Sequence, residues 1–511
     1  MVLLTSPAVH VSLLFCVNPI HQSRTVSLLR LTFLLSLTEH CWASQQCHQP
    51  DDRPSIPTDL PRKPPMSRTP IRGLVTVLAG TIILVATFPL RAAVPEKPSV
   101  LFIVADDMGW KDIGFHGAEI LTPNLDRLAA SGVRLEQNYV MATCSPTRAG
   151  LLSGRFPSRF GLVSPTNRRV FPFGMTTLAS ALKSRGYLTG ITGKWHLGSM
   201  PEWGPRKFGF DRSYGSLAGG VNQYTHFYKD GPYRRTWHRN DQYCEEEGHS
   251  TDLFAREAIR WIDAAGDRPF FILVAFTAVH YPLQEPDRWT GLYDGKIEYP
   301  SRKLFAACAT HMDDTVGRMV EALERTGRRQ KTLIVFTSDN GGQRSWTTTS
   351  QYGGGHTPCP VLGNNGPLRG WKGQLYEGGI RVPAFAQWPG VLKPGRLDTP
   401  VHVVDWFPTL ARLAGFEVDD SLKLDGRDIW PLLANPQQSS AARTLYWKTR
   451  GVSALRHGDW KMLAYPKRTE LYNLAEDPYE KQNVVGRHPE RVAELQALLA
   501  EQQKLDENKS D

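Results

Sequence analysis

Cysteine is scarce in this chain: there are seven in 511 residues, and only Cys144, Cys244, Cys308 and Cys359 lie beyond residue 93. So few thiols cannot make a disulfide scaffold, and the fold must rest on an apolar core. No run of Lys and Arg is concentrated enough for a nucleic-acid interface. No His/Cys spacing of the zinc kind occurs, and the absence of internal repeats or low-complexity tracts leaves ordinary globular organisation. One-sided charge is also modest. The formal +10 includes five Lys/Arg against four Asp/Glu in residues 1–65 and three unopposed Arg in 66–93, which leaves about +6 beyond them. That mild excess suits an anionic substrate.

Apolar residues make up 41% of the chain, enough for a sizeable core. The length suggests one large domain with a smaller companion. The 44 Gly and 37 Pro point to many loops, where sites are usually carried. Residues 66–93 have the pattern of an export signal: Met66, Arg68 and Arg72, an apolar run over 73–90, then Ala92-Ala93. Thr76, Thr81, Thr87 and Pro89 dilute the run, so cleavage near Ala93 is expected, with no stable membrane span afterwards. Residues 1–65, with three cysteines and a Pro-rich stretch, show no fold pattern. Translation is expected to begin at Met66, the upstream part being a mis-assigned or disordered extension. The mature protein is expected to be exported, periplasmic or secreted.

Short apolar runs over 99–107, 187–192, 269–277 and 332–338 read as buried strands. Helix-like segments at 124–131, 177–184, 252–264 and 303–325 lie between them. The alternation predicts an α/β sheet covered on both faces. A composition shift over 432–442 reads as a linker. The predicted catalytic domain covers 94–435 and a C-terminal subdomain 440–511, with strands within 444–463 and 470–473 and a closing helix over 488–505.

Polar residues follow each of the four runs. Asp106-Asp107 end the first, Lys194 and His196 follow the second, His280 the third, and Asp339-Asn340 end the fourth. The carboxyl ends of strands are where open α/β sheets build sites. The two oxygen-bearing pairs suit a hard divalent cation, and calcium tolerates irregular geometry better than magnesium. Taken singly, Lys194 and Lys372 read as solvated lysines, His280 as a core or turn residue, and Gly193, Gly198, Gly378 and Gly379 as turn positions needing positive φ. Cys144-Ser-Pro-Thr-Arg148 admits two readings: a thiolate at a helix start with its pKa lowered by Arg148, or a buried structural cysteine.

Cys-x-Pro-x-Arg followed by Leu-Leu-Ser-Gly-Arg155 resembles the signature of the type I sulfatases. The remaining motifs agree in order: Asp106-Asp107, Gly193-Lys-Trp-His-Leu-Gly198, His280, Ser338-Asp-Asn-Gly341, and Lys372 within the segment 369–381. The resemblance spans about residues 98–480. It departs at Thr147, where the family usually has serine. It implies an alkaline-phosphatase-like sandwich with a large, mostly parallel central sheet and a small C-terminal α+β subdomain with an antiparallel sheet. It also implies that Cys144 is oxidised to Cα-formylglycine by a formylglycine-generating or sulfatase-maturing enzyme. The aldehyde hydrate would share a calcium ion with Asp106, Asp107, Asp339 and Asn340. In this implied scheme one hydroxyl attacks sulfur, Lys194 and Lys372 hold sulfate oxygens, and His280 protonates the leaving alcohol. His196 serves the second hydroxyl, whose deprotonation expels sulfate, and Arg148 orients the diol.

Within the family, segments 280–284, 339–343 and 363–370 most resemble arylsulfatase B, the N-acetylgalactosamine-4-sulfatase type. A sulfated carbohydrate of glycosaminoglycan type, or an aryl sulfate, is the implied substrate. Residues 199–250, rich in aromatics, are expected either to rim the pocket or to pack as an ordinary loop. Two rivals stand beside this reading: a phosphonate monoester or phosphodiester hydrolase sharing the same nucleophile motif, and an inactive glycan-binding relative.

Overall fold

The computed structural model describes residues 97–507. The expectations for the extension, the export signal and its cleavage lie outside the described residues. Strands β1 (Ser99–Ala105), β2 (Val133–Leu135), β4 (Leu188–Lys194), β5 (Arg212–Ser216), β6 (Trp237–Arg239), β7 (Gln242–Tyr243), β8 (Phe270–Ala275), β9 (Thr332–Ser338), β10 (Ala384–Gln387) and β11 (Gly395–Leu397) form one sheet in the order β11-β2-β10-β9-β1-β8-β4-β5-β6-β7. β3 (Asn138–Tyr139) pairs separately with β12 (Val401–His402). The five central strands, β9 to β5, run parallel. β10 and β6 turn antiparallel at their flanks.

The sheet is buried on both faces, and its two middle strands are apolar accordingly: β8 throughout and β1 from Val100 onward. In β1, Val100, Phe102 and Val104 enter one core while Leu101, Ile103 and Ala105 enter the other. Such unbroken apolar runs are what a parallel sheet covered on two sides requires. Helices Cys144–Ser153, Leu178–Ser184 and Trp406–Leu413 cover the first face. Pro123–Ala130, Ser250–Asp263 and Pro300–Arg325 cover the second. The expected helix over 177–184 starts where Thr177 makes a reciprocal capping box with Ser180.

A smaller antiparallel sheet follows in sequence order: β13 (Thr444–Lys448), β14 (Ser453–His457), β15 (Trp460–Ala464) and β16 (Thr469–Asn473). The closing helix is Pro489–Glu507. The architecture is the expected alkaline-phosphatase-like sandwich with its added antiparallel sheet. Lys461 of β15 is buried between Glu377 and Glu480, 2.8 Å from each. Arg369 donates to Tyr472 Oη and to the Glu480 carbonyl, both at 2.9 Å. The small sheet thus grips segment 369–377 on both sides of Lys372. Among the described residues, no helix is long and apolar enough to cross a membrane.

Candidate active site

The register of the sheet brings the two oxygen-bearing pairs together. β1 and β9 are parallel neighbours with Ala105 opposite Ser338, so Asp106-Asp107 and Asp339-Asn340 leave the sheet side by side. The Asp107 amide donates to Asp339 Oδ1 at 3.3 Å, and Asn340 Nδ2 donates to Asp107 Oδ1 at 2.8 Å. Lys194 ends β4, and its Nζ reaches Asp106 Oδ2 at 2.6 Å. Gly193 is obligatory just before it: its φ is +109°, and a Cβ there would stand 1.9 Å from the Ala275 carbonyl oxygen. Gly198 also has positive φ, at +143°. Gly378 and Gly379 do not need positive φ. They are glycine because backbone closes on them, a Cβ meeting the carbonyl oxygens of Gly370 at 2.6 Å and Gln374 at 2.1 Å.

Cys144 opens its helix, and Arg148 lies one turn on, on the same side. Arg148 faces Asp339 Oδ2 (2.8 Å from Nη2, 3.2 Å from Nε) and donates from Nη1 to the Lys194 carbonyl at 2.8 Å. Cys144 Sγ lies 3.3 Å from His196 Nδ1. Thr147 turns its hydroxyl back to Met141, accepting from the amide at 2.9 Å and donating to the carbonyl at 3.3 Å. A serine hydroxyl makes the same contacts, so this departure from the motif leaves the local structure unchanged. Lys372 comes from an irregular loop, anchored by its amide on the Gly342 carbonyl at 3.2 Å, and sets Nζ 2.7 Å from Asp107 Oδ1. His280 donates from Nδ1 to the Tyr281 carbonyl, which leaves Nε2 toward Asp107 Oδ2 at 3.9 Å.

All ten residues singled out in the sequence therefore meet in one place. The two lysines that singly read as solvated are not: the Lys194 side chain is 0% exposed and that of Lys372 14%. Three carboxylates face three cations, an arrangement that holds buried charges only because each is paired. Burial, followed by the neighbouring Asp339, pushes Asp106 up to about 8 against the pull of Lys194. For Asp107 burial acts the same way, but Lys372 and then His280 override it and hold the carboxyl well below the usual range. Burial, then Lys194, keeps His196 neutral, and burial, then Lys372, does the same for His280. The Cys144 thiol is pushed up by burial in spite of Lys194 and Lys372. Arg148, committed to Asp339, does not activate a thiolate.

The donor set fits a hard cation. Asp106 Oδ1 and Asn340 Oδ1 are buried without a hydrogen-bond partner, a costly condition that a divalent ion relieves. Ligand atoms of Asp106, Asp107 and His280 lie within 4.8 Å of one another. Carboxylate and amide oxygens are calcium and magnesium donors.

A cleft of about 570 Å³ opens above the cluster, with Cys144, His196, His280 and Lys372 among the residues that line it. Its walls include Thr166, Arg168, Tyr228, Lys229, Trp346 and Tyr352. Both expectations for residues 199–250 are realised in different places. Tyr228, Lys229 and Tyr233 rim the cleft, whereas Tyr214 and Trp237 pack in the core. Segment 165–168, Trp346 and Tyr352 had no signal in the sequence, because irregular loops carry no periodicity.

The family model described as Sulfatase matches residues 98–416. A second, described as N-sulphoglucosamine sulphohydrolase, C-terminal, matches 370–509. Arylsulfatase J of Mus musculus is 33% identical over 469 residues, covering 80% of this chain and 76% of that protein. Arylsulfatase A of Homo sapiens is 32% identical over 479 residues, covering 81% and 89%. Among solved structures, Ps i-CgsB in complex with k-i-k-neocarrahexaose superposes with a TM-score of 0.71 at 33% identity, over 80% of this chain and 93% of that one. The PsFucS1 sulfatase from Pseudoalteromonas sp. gives 0.67 at 26%, over 81% and 92%.

Proposed function

The chain belongs to the sulfatase family and is a sulfatase-type hydrolase, and on that premise we propose that it releases sulfate from a sulfated sugar of glycosaminoglycan type or an aryl sulfate. The observation that carries this reading is the set of three buried carboxylate–cation pairs around Cys144 beneath an open cleft. Cys144 is taken as the precursor of formylglycine, and Asp106, Asp107, Asp339 and Asn340, with the modified side chain, as the holders of calcium. Such an ion, when bound, supplies Lewis-acid polarisation of sulfate oxygens and a lowered pKa for a coordinated hydroxyl. A divalent ion favours the ionised form of Asp106; the three carboxylates then balance the three cations, and the ion gives the base of the cleft an excess of two positive charges. That excess suits a sulfate ester.

Lys194 and Lys372 hold ammonium groups where negative charge accumulates on sulfate. His196, in the tautomer protonated at Nε2, offers Nδ1 as the acceptor for a proton from residue 144. His280 has Nδ1 occupied by the Tyr281 carbonyl, so Nε2 is the atom that exchanges a proton with the leaving oxygen. Arg148 fixes Asp339 and the end of β4 rather than touching the thiol. The whole segment 144–148 is buried, so a maturing enzyme has to reach it before the fold closes. The same reading makes the protein exported. It divides the chain into a catalytic part, 94–435, and a bracing C-terminal part, 440–511.

A sugar substrate is supported by the aromatic walls of the cleft, which offer ring faces to a pyranose, and by the neocarrahexaose bound to a structural neighbour. The segments resembling the N-acetylgalactosamine-4-sulfatase type play a supporting part. Asn365 clasps the backbone of Gly342, accepting from its amide at 2.8 Å and donating to its carbonyl at 3.2 Å. They build the loop that carries Lys372, and N-acetylgalactosamine 4-sulfate is the first sugar to assay. Parallel rates on 4-nitrophenyl sulfate, a phosphonate monoester and a phosphodiester test the reaction class. Preference for the sulfate is expected; a large preference for phosphorus, or glycan binding with no turnover in matured protein, overturns the reading.

A further inference from the structure

The cations beneath the cleft are paired, but Lys229 in its wall is not. Among the described residues no carboxylate lies within 4.0 Å of its ammonium, and the adjacent Asp230 is paired with Arg234 at 3.3 Å. Lys229 is half-buried, and aromatic faces surround its Nζ: Trp346 at 5.3 Å, Tyr352 at 5.5 Å and Tyr228 at 5.9 Å to the ring centroids. Rings attract the cation without using its three N–H donors. The ammonium is therefore held in place and still has its hydrogen bonds to give. Burial, and next Lys372, draw its pKa below the ordinary lysine value, so an incoming anion relieves an unfavourable charge.

The location fixes which part of a substrate this ammonium meets. His280 packs on the same two rings, 5.9 Å from Trp346 and 6.5 Å from Tyr352. Trp346 is in turn stacked on Tyr281 at 4.9 Å, so the aromatic wall is braced. Cys144 and His196 contact each other at the sulfur-reacting end, while Lys229 and His280 share the aromatic wall on the side where the alcohol leaves.

We propose that Lys229 forms a second anion subsite, taking a carboxylate or a further sulfate carried by the sugar whose sulfate ester is cleaved. This rests on the sulfatase reading of the cleft and adds a substrate class to it: sugars bearing two anions, one cleaved and one retained.

The test compares the matured wild type with Lys229→Met, which keeps the apolar stem, and Lys229→Arg, which keeps the charge. Four probes are used: 4-nitrophenyl sulfate, N-acetylgalactosamine 4-sulfate, its disaccharide with a uronic acid, and N-acetylgalactosamine 4,6-disulfate. In Lys229→Met, kcat/KM for at least one two-anion sugar falls about tenfold or more, through KM, and the loss on 4-nitrophenyl sulfate is several times smaller. Lys229→Arg restores most of it. Whether the uronate or the disulfate is the sensitive probe identifies the retained anion. Equal loss on all four probes, or loss on none, overturns the subsite.

Calorimetric affinities for the three sugars, measured with Cys144→Ala added to both proteins so that none is turned over, give a reading that does not depend on turnover. Wild type binds a two-anion sugar more tightly than the one-anion sugar, and Lys229→Met does not; indistinguishable dissociation constants in the two proteins refute the proposal. If matured protein hydrolyses no sulfate ester, the function reading fails, and the affinities still decide the subsite.

Discussion

Beneath the cleft, Asp106, Asp107 and Asp339 face Lys194, Lys372 and Arg148, whereas beneath the small sheet Lys461 stands between Glu377 and Glu480. Both clusters are buried and both are made of carboxylates and cations. They differ in what is left over. In the second, Glu377 Oε1 meets Lys461 and its Oε2 accepts from Tyr139 Oη at 2.7 Å. Glu480 Oε2 accepts the Glu377 amide at 2.7 Å, and Oε1 lies 2.8 Å from Lys461 Nζ, close enough for an ion pair though off line for a hydrogen bond. The first cluster leaves Asp106 Oδ1 and Asn340 Oδ1 without partners and borders an open cleft. Backbone strain does not separate the two clusters, since Asp107 at +65° and His196 at +55° in the first are matched by Glu480 at +55° in the second. A closed ion cluster fastens structure, and one with spare acceptors beside an open cleft is set for a ligand.

The contrast is most sharply broken or upheld by Cys144→Ala. Aryl sulfatase turnover should fall by at least about 10⁴-fold, the scale of nucleophile loss in covalent hydrolases. Stability in urea should stay within about 1 kcal/mol, because a small buried side chain is exchanged for a smaller one. Next come the lysines. Lys461→Met strands two buried carboxylates and should cost about 3–5 kcal/mol of unfolding free energy. Lys194→Met leaves Asp106, whose carboxyl already lies at about 8, to take up a proton, and should cost less, about 1–3 kcal/mol in chelator. Calcium should restore much of the Lys194→Met loss and little of the Lys461→Met loss, since only the first cluster binds the ion in the folded state. Denaturation of both variants with and without calcium reads this directly, and equal rescue would erase the distinction between the clusters.

The smallest effect concerns pH. Burial, against the pull of Lys461, raises Glu480 to about 6. The folded state therefore holds its proton more tightly than the unfolded chain. Its contribution is fully present below about 4.5 and is lost as pH rises through about 6, by on the order of 1–2 kcal/mol. Glu480→Gln should remove that slope. Unfolding curves from pH 4.5 to 6.5 that stay parallel for the two proteins would contradict it.

Much of the site was legible because parallel strands carry their polar residues to one edge. The runs before Asp106, Lys194, His280 and Asp339 appeared as apolar strands, and register did the rest. What the sequence hid is pairing. Nothing around Lys194 or Lys372 announces a buried ammonium, because their partners lie 88 and 265 residues away. The cleft walls were hidden for a different reason: Trp346, Tyr352 and segment 165–168 sit in loops whose positions depend on tertiary anchors. The aromatic segment 199–250 concealed β5 to β7, whose short strands are specified by their neighbours more than by their own pattern.

The central claim is that Cys144 is the precursor of the nucleophile, and the most direct measurement is mass spectrometry of the peptide ending at Arg148 from native, active protein. The account predicts the mass deficit of a thiol converted to an aldehyde at Cys144. An unmodified cysteine in fully active enzyme would contradict it.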